Sequence, residues 1–305
     1  MSDALASNRF RDCIRFQMTF LNVGCGSRFH PEWINIDLVS TDKSVRAYDL
    51  RQGIPFPDSS FDFVYHSHVL EHIEKSRASD FVFECVRVLK PGGILRVVLP
   101  DLERIAREYL RALENASLGD ANAEADYDWM MLEFYDQCIR EKSGGDMAVH
   151  LCRESLLNEP FVERRMGPSL LRAVKMNRAQ ALCRKSSSGS QLLRIIRAAV
   201  RIVMSPRYQR EWMLRLLLGK EYALLQMGRF REAGEIHRWM YDRFSLGRLL
   251  RKAGLVDIVV RGAGDSYLPD WASYSLDVEE DGSVVKPDSL FLEGRKPIPN
   301  SDRGQ

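Results

Sequence analysis

Histidines and carboxylates that could move protons follow one apolar stretch of this chain. Residues 61–65 predict a buried strand, and the segment 66–72 after it has the sequence His-Ser-His-Val-Leu-Glu-His. An imidazole with an ordinary pKa of about 6.5 can take a proton at neutral pH. Open α/β sheets bind their ligands at the carboxyl ends of their strands. We therefore expect segment 66–72 to lie where chemistry is possible.

A glycine turn and another carboxylate come earlier in the chain. Phe20–Val23 predicts a strand, Gly24-Cys25-Gly26 a sharp turn, and 33–37 a second strand that ends in Asp37. Glycine lacks a Cβ atom, so the backbone can bend sharply there and come close to a ligand. Asp37 is placed to accept hydrogen bonds from a ribose diol. A lone Gly-x-Gly is weak evidence for a nucleoside site, so the downstream residues must show whether the turn belongs to one.

Further strands and a helix are predicted downstream of the glycine turn. Tyr48-Asp49-Leu50 precedes a turn-rich segment, 53–58, and a helix with apolar spacing covers residues 81–89. Lys90-Pro91-Gly92-Gly93 ends that helix, and 94–99 predicts the next strand. This alternation is typical of an α/β sheet.

The order of these motifs resembles the class I methyltransferases that use S-adenosylmethionine, of the broad bacterial type with a glycine-rich first motif. The resemblance implies a Rossmann-like, doubly wound, mostly parallel seven-stranded sheet whose last strand is antiparallel. The motifs that carry it are Val23-Gly24-Cys25-Gly26, Asn35-Ile36-Asp37, Ile54-Pro55-Phe56-Pro57-Asp58-Ser59-Ser60-Phe61-Asp62, Val69-Leu70-Glu71-His72 and Leu89-Lys90-Pro91-Gly92-Gly93.

The resemblance also implies the cofactor contacts. The glycines would lie near the methionine end of S-adenosylmethionine, the Asp37 carboxylate on the ribose hydroxyls, and the segment at 49–50 beside the adenine. Ser67 and His68 would lie beneath the methionine and the sulfonium. The complete set of expected cofactor-binding residues is Asn22, Gly24, Cys25, Gly26, Asp37, Leu38, Asp49, Leu50, Ser67 and His68.

Two departures from the family pattern stand out. Asn22 occupies the position where the family often has an acidic residue, and the short span from Gly26 to Asp37 leaves room for a short helix or none. The same shortness argues against a dinucleotide cofactor. That fingerprint needs a third glycine opening a full helix, whereas 28–30 supplies none and Pro31 interrupts such a helix.

Several residues are candidates for the base that would deprotonate a hydroxyl acceptor. Holding the acceptor in line with the methyl group is the largest task in methyl transfer, and a general base adds to it. Our candidates for catalysis are His68, His237 and Asp101. A structural role is an open alternative for each of them, and Asp101 is equally well placed to cap a helix. His66, His72 and His150 are weaker candidates.

Composition and cysteine usage indicate a globular protein. The chain has 305 residues with a formal net charge of +2. Neither an apolar run of about 18 residues nor an apolar signal core is present, so we expect a cytoplasmic location. The cysteines (Cys13, Cys25, Cys85, Cys138, Cys152 and Cys183) lack Cys-x-x-Cys spacing, which fits a reducing compartment. No metal site is predicted.

The pattern also predicts a domain organisation. An N-terminal extension, 1–17, precedes a core over 18–101 and 240–296, and 102–239 form a helical insertion that we expect to act as a basic cap for the substrate. Basic residues far outnumber acidic ones over about 140–215. Within that region, 191–204 predicts a helix with a basic face, either solvated or in contact with an anionic membrane surface. The tail, 297–305, should fray from Lys296 onward.

These observations predict an O-methyltransferase acting on a small or mid-sized anionic acceptor, of a glycan or secondary-metabolite type. Two alternatives stay open: a methyltransferase that modifies a peptide, and a docking module that holds the cofactor without catalysis. A nucleic acid is a weaker candidate acceptor, because Tyr65-His66-Ser67-His68 stands where an Asn/Asp-Pro-Pro-aromatic loop would grip a base.

Overall fold

The core of the molecule is a seven-stranded sheet with the order β3-β2-β1-β4-β5-β7-β6. The computed structural model describes residues 18–299 except 154, 170 and 177–204. Strands β1 to β5 are parallel, and β7 runs antiparallel to both β5 and β6. The predicted Rossmann-like sheet with an antiparallel last strand is therefore confirmed. The strands are β1 Phe20–Val23, β2 Ile34–Asp37, β3 Val45–Ala47, β4 Phe61–Ser67, β5 Leu89–Pro100, β6 Val256–Arg261 and β7 Ser289–Arg295.

The chain divides into two compact units. The first unit comprises Met1–Arg104 and Arg238–Gln305, and the second comprises Ile105–His237. Described helices of the chain are α1 Ala78–Val88, α2 Leu102–Ser117, α3 Ala121–Met131, α4 Gly145–Leu151, α5 Glu159–Met166, α6 Pro206–Leu218, α7 Tyr222–Glu232 and α8 Arg243–Lys252. The predicted extension 1–17 and the amphipathic segment 191–204 lie outside the described residues. No helix among the described residues is long and apolar enough to cross a membrane.

One face of the sheet is covered by helices α1 and α8. Their apolar residues recur at helical spacing and meet side chains such as Val64 and Leu95, which alternate along the buried strands. Helix α1 spans Ala78–Val88, so it begins three residues before the predicted range of 81–89 and ends one residue earlier. Asp242 caps α8 by accepting a hydrogen bond from the Ser245 amide at 2.7 Å.

The opposite face is covered by an aromatic loop, 262–288. The connection from β1 to β2 contains no helix, as its length indicated. Trp271 packs instead against Phe63 and Tyr65 with ring centroids 5.5 and 5.3 Å apart, and Trp33 lies 5.9 Å away. Indole and phenyl rings therefore supply the apolar area that a helix usually contributes to this face.

Arg96 on β5 holds that loop in place from inside the protein. Its buried guanidinium donates to Asp277 and Glu293, at 2.8 Å each, and to the backbone carbonyls of Gly262 and Ala263. Two carboxylates and a set of carbonyls thus satisfy a charge that would otherwise be costly to bury.

Two expectations about local structure were wrong. The apolar spacing places Ile105, Leu110 and Leu113 on one face of α2, but only Ile105 is buried, and Leu110 and Leu113 are exposed. The tail does not fray at Lys296. Its ammonium donates to the carbonyls of Val86, Arg87 and Leu89 at the end of α1, which are acceptors that a helix leaves unpaired.

Candidate active site

The turn after β1 needs glycine for two separate reasons. Gly24 and Gly26 have φ angles of +66° and +57°, a left-handed region that other residues rarely adopt. A Cβ on Gly24 would lie 2.5 Å from Cγ2 of Val69, so the turn packs directly on the segment that follows β4. A Cβ on Gly26 would meet nothing within 4 Å. The turn is therefore open to a ligand on its Gly26 side and closed on its Gly24 side.

Asp37 lies at the end of β2 beside this turn. Its Oδ2 accepts a hydrogen bond from the Gly26 amide at 2.8 Å, and its Oδ1 accepts from the Val39 amide at 3.3 Å. Each carboxylate oxygen can accept more than one hydrogen bond. The half-exposed carboxylate thus holds the turn and retains acceptor capacity for a diol.

The other residues expected around the turn support the backbone. Asn22 is buried on β1, and its amide donates to the Arg28 carbonyl at 3.2 Å. Burial raises the pKa of the Cys25 thiol to about 11, and the nearby Asp37 carboxylate adds to this effect. A protonated thiol of this kind is a packing group and not a nucleophile.

The structure places the expected adenine contacts less favourably. The guanidinium of Arg51 contacts both carboxylate oxygens of Asp49, with the shortest distance 2.7 Å. Leu50 begins a short 3-10 turn, and Leu38 is exposed after β2. Asp49 is therefore already engaged by a cation where the resemblance assigned it to the cofactor.

His68 forms the centre of a hydrogen-bonded chain at the carboxyl end of β4. Its Nδ1 lies 3.1 Å from Oε1 of Glu71, and its Nε2 lies 2.9 Å from Oγ of Ser289, the first residue of β7. With the proton on Nδ1, facing Glu71, Nε2 accepts a hydrogen bond from the serine hydroxyl. An acid, a base and a hydroxyl in this order can relay a proton.

The backbone and the surroundings of His68 are also unusual. Its φ angle is +54°, a conformation that non-glycine residues adopt at a cost and that is enriched at functional sites. Burial, together with the Lys286 ammonium, lowers its pKa to about 4 against the opposing effect of Glu71. His68 is therefore neutral at pH 7. Burial also lowers the pKa of Lys286, while Glu71 and Asp288 act in the opposite direction.

The antiparallel direction of β7 explains why Ser289 and Lys286 reach this place. Ser289 pairs with Pro100 at the carboxyl end of β5, so the amino end of β7 meets the edge where β4 also ends. Neither Ser289 nor Lys286 is predicted from the sequence as a site residue, and Glu71 is not predicted as a partner of His68. Its three-residue spacing from His68 was the available signal.

The other histidines near β4 have different environments. Ser67 ends β4 beside His68, whereas His66 points to the opposite side of the strand and packs on Phe81 of α1 with ring centroids 5.2 Å apart. His66 is completely buried, and burial lowers its pKa to about 4. His72 lies in the short 3-10 turn Leu70–His72. His66 is thus part of the core, as its alternation with Ser67 suggested.

Of the remaining candidate bases, Asp101 belongs to the same compact unit as His68, and His237 belongs to the second unit. Asp101 caps α2, because its Oδ1 accepts from the Glu103 amide at 3.0 Å. His237 belongs to the second unit, where its amide donates to the Gln137 carbonyl at 2.9 Å. His150 is buried there against Trp129. The structure thus accounts for Asp101 as a helix cap, and a catalytic role for it or for His237 stays a prediction.

Some of the basic residues expected to bind an acceptor have internal partners. The Arg165 guanidinium forms a buried ion pair with Glu133, and Arg140 contacts Glu235 at 3.1 Å. The part of the basic region at 177–204 lies outside the described residues. Arg165 and Arg140 therefore stabilise the second unit from inside.

Comparison with known proteins identifies the sheet. Residues 21–97, which include the glycine turn and the His68 segment, match the family described as "Methyltransferase domain". This match covers about a quarter of the chain. S-adenosylmethionine is the cofactor of this family.

The chain is also similar in sequence to a bacterial protein. Over 57 residues the chain is 42% identical to a protein of Mycolicibacterium smegmatis described as a probable S-adenosylmethionine-dependent methyltransferase. The match covers 17% of this chain and about a fifth of the relative.

Solved structures with a similar arrangement include two described as S-adenosylmethionine-dependent methyltransferases. The protein from Thermotoga maritima, described as a possible histamine N-methyltransferase, has 13% identity and a TM-score of 0.35, over 96% of this chain and 88% of that one. The protein from Archaeoglobus fulgidus has 11% identity and a TM-score of 0.35, over 96% and 94%.

The residues present fit this cofactor at the ribose and methionine ends. The open side of the Gly26 turn would admit a ligand backbone, and the Asp37 carboxylate has capacity for the ribose hydroxyls. Asp49, which the resemblance places beside the adenine, is paired with Arg51.

Proposed function

We propose that this protein transfers a methyl group from S-adenosylmethionine to an oxygen atom of an anionic acceptor. The observation that carries the proposal is the Glu71–His68–Ser289 chain, which lies beside the glycine turn at the carboxyl edge of the sheet. Val69, the next residue after His68, contacts that turn. The group that could handle a proton is thus adjacent to the residues that would hold the cofactor.

S-adenosylmethionine supplies a methyl group on a sulfonium, a good leaving group. The chain's own residues would orient the acceptor and handle its proton. Nε2 of His68 would take the proton of a hydroxyl acceptor, either directly or through Oγ of Ser289. Glu71 would hold Nδ1 and stabilise the imidazolium that forms. Positioning of the acceptor would contribute most of the rate enhancement.

A carboxylate acceptor is a second candidate, and the low pKa of His68 favours it. An imidazole with a pKa of about 4 is a weak base for a hydroxyl. A carboxylate needs no deprotonation at neutral pH, and the nearby Lys286 ammonium would attract it. A peptide carboxylate, as in the peptide-modifying alternative, belongs to this class.

The substitution His68→Asn separates the two acceptor types. Asparagine tolerates a positive φ angle, so the backbone at this position can be kept. With methyl-labelled S-adenosylmethionine and a panel of sugar acids, hydroxylated acids and carboxylated peptides, we expect transfer by the wild-type protein. A hydroxyl acceptor should lose about 10²- to 10⁴-fold in kcat in the variant, while a carboxylate acceptor should lose less than about tenfold.

The binding of the cofactor is tested separately by calorimetric titration. We expect binding of S-adenosylmethionine and S-adenosylhomocysteine, and none of NAD. Binding without transfer to any acceptor would favour the docking-module alternative. Absence of binding to both compounds would contradict the proposed function.

A further inference from the structure

Helix α6 in the second unit turns a broad apolar face to solvent. Tyr208, Trp212 and Leu216 follow one another at four-residue spacing, and their exposed fractions are 48, 52 and 63%. Met213 and Leu217 continue the same face at 54 and 79% exposure. Gln209 is the polar residue within this arc. The apolar face of α6, defined by these five large side chains, spans about half of the helix circumference.

The opposite side of α6 carries the contacts to α7. Oε2 of Glu211 accepts hydrogen bonds from the Tyr222 hydroxyl at 3.0 Å and from the Arg229 guanidinium at 2.7 Å. A helix on the surface of a globular protein ordinarily turns its apolar face inward and its charges outward. In α6 the larger apolar face is turned to solvent, and the inner side carries Glu211 together with the half-buried Leu214 and Leu218.

Cations border the apolar face of α6. Arg210 lies at one edge and Arg215 at the other, and Lys220 follows in the next turn. Arg210 contacts Glu211 at 3.6 Å and is largely exposed. Within α6 and the turn after it, Arg207, Arg210, Arg215 and Lys220 are opposed only by Glu211 and Glu221.

We propose that α6 docks this protein on the surface of a membrane that contains anionic lipids. A helix with aromatic and aliphatic residues on one face and arginines at its borders can lie in the interface, its apolar side chains among the acyl chains and its cations at the headgroups. Tryptophan and tyrosine, both present on this face, favour that boundary. An exposed apolar surface of this extent marks an interaction site.

Charge favours a lipid surface over a second copy of the chain. A twofold dimer through this face would place the same arginine-bordered patch against itself, so cations would oppose cations. Anionic headgroups instead complement both borders. Each lysine or arginine near such a surface strengthens binding by about fivefold.

Vesicle flotation of the full-length protein tests the proposal. We expect binding to phosphatidylcholine vesicles that contain phosphatidylglycerol, weaker binding to pure phosphatidylcholine, and a decline with added salt. The double variant Trp212→Ser/Leu216→Ser should bind at least about tenfold more weakly, because it removes two apolar anchors. The double variant Arg210→Gln/Arg215→Gln should lose most of the preference for anionic vesicles.

A matched control uses exposed leucines elsewhere in the second unit. Leu118 and Leu157 are 83 and 81% exposed outside α6, and the variant Leu118→Ser/Leu157→Ser should bind vesicles like the wild-type protein. Equal loss in this control would overturn the proposal. Failure of the wild-type protein to bind anionic vesicles would also overturn it, as would a dimer in size-exclusion chromatography that Trp212→Ser/Leu216→Ser converts to a monomer. Circular dichroism verifies the fold of each variant, and these outcomes are independent of methyl transfer.

Discussion

Asp37 combines a structural role with the proposed ligand role. Its Oδ2 accepts a hydrogen bond from the Gly26 amide at 2.8 Å, and its remaining lone pairs would accept hydrogen bonds from the ribose hydroxyls. We expect Asp37→Ala to weaken S-adenosylhomocysteine binding by about 1.5 to 3 kcal/mol, the range for hydrogen bonds to a charged group. Calorimetric titration measures the effect. Asp42→Ala is the matched control, because Asp42 caps the same loop through the Ser44 amide and should leave the affinity unchanged. An unaltered affinity in Asp37→Ala would remove this carboxylate from the cofactor site.

His66 should make the protein sensitive to acid. Burial lowers its pKa to about 4, so the unfolded chain, with a histidine pKa of about 6.5, binds a proton that the folded chain does not. The free energy of unfolding should therefore fall as the pH drops from about 6.5 to about 4. Urea denaturation at about pH 6.5 and at about pH 4 measures this fall in the free energy of unfolding. In His66→Leu the fall should be smaller than in the wild type, but it should not vanish, because His68 also has a lowered pKa. Parallel pH profiles for the variant and the wild type would contradict this.

At the scale of elements, the Arg96 contacts determine how the 262–288 loop covers the sheet. Arg96→Met would keep the volume but leave Asp277 and Glu293 buried without their shared cation. We expect a loss of about 3 to 5 kcal/mol in the free energy of unfolding, measured by denaturant titration. Lys252 is exposed on α8, and the control variant Lys252→Met should change the free energy of unfolding by less than about 0.5 kcal/mol. A loss in Arg96→Met no larger than in that control would show that the loop is held mainly by its aromatic contacts.

The sequence predicted the elements with strong periodicity better than the loops between them. Helix α1 followed from apolar spacing, and the mostly parallel sheet with its antiparallel last strand followed from the family resemblance. The capping role of Lys296 was missed, because a contact with carbonyls at the end of α1 depends on the antiparallel path of β7 and not on local pattern. The 262–288 loop is rich in aromatic residues (Tyr267, Trp271 and Tyr274), but a loop without periodicity does not show which face of the sheet it covers.

The candidate site shows the same division between local and long-range signals. Gly24, Gly26 and Asp37 lie together because they belong to one short β-turn-β segment. The partner of His68 on β7, Ser289, lies 221 positions away, and only the strand order brings the two together. The arginines of the basic region were expected to bind an anionic acceptor. Their charge in the sequence did not show that Arg165 is buried in an ion pair with Glu133.

At the scale of the whole molecule, the two compact units should respond differently to the cofactor product. Gly26, Asp37 and His68 all belong to the first unit, so S-adenosylhomocysteine should stabilise that unit when it binds the folded state. At a concentration of 100 times its Kd, the stabilisation is about 2.7 kcal/mol. We expect differential scanning calorimetry to resolve two transitions, of which the product raises one. Asp37→Ala should reduce that stabilisation to about 0.3 to 1.3 kcal/mol at the same concentration and leave the other transition unchanged. A single transition that moves as a whole would mean that the two units unfold cooperatively.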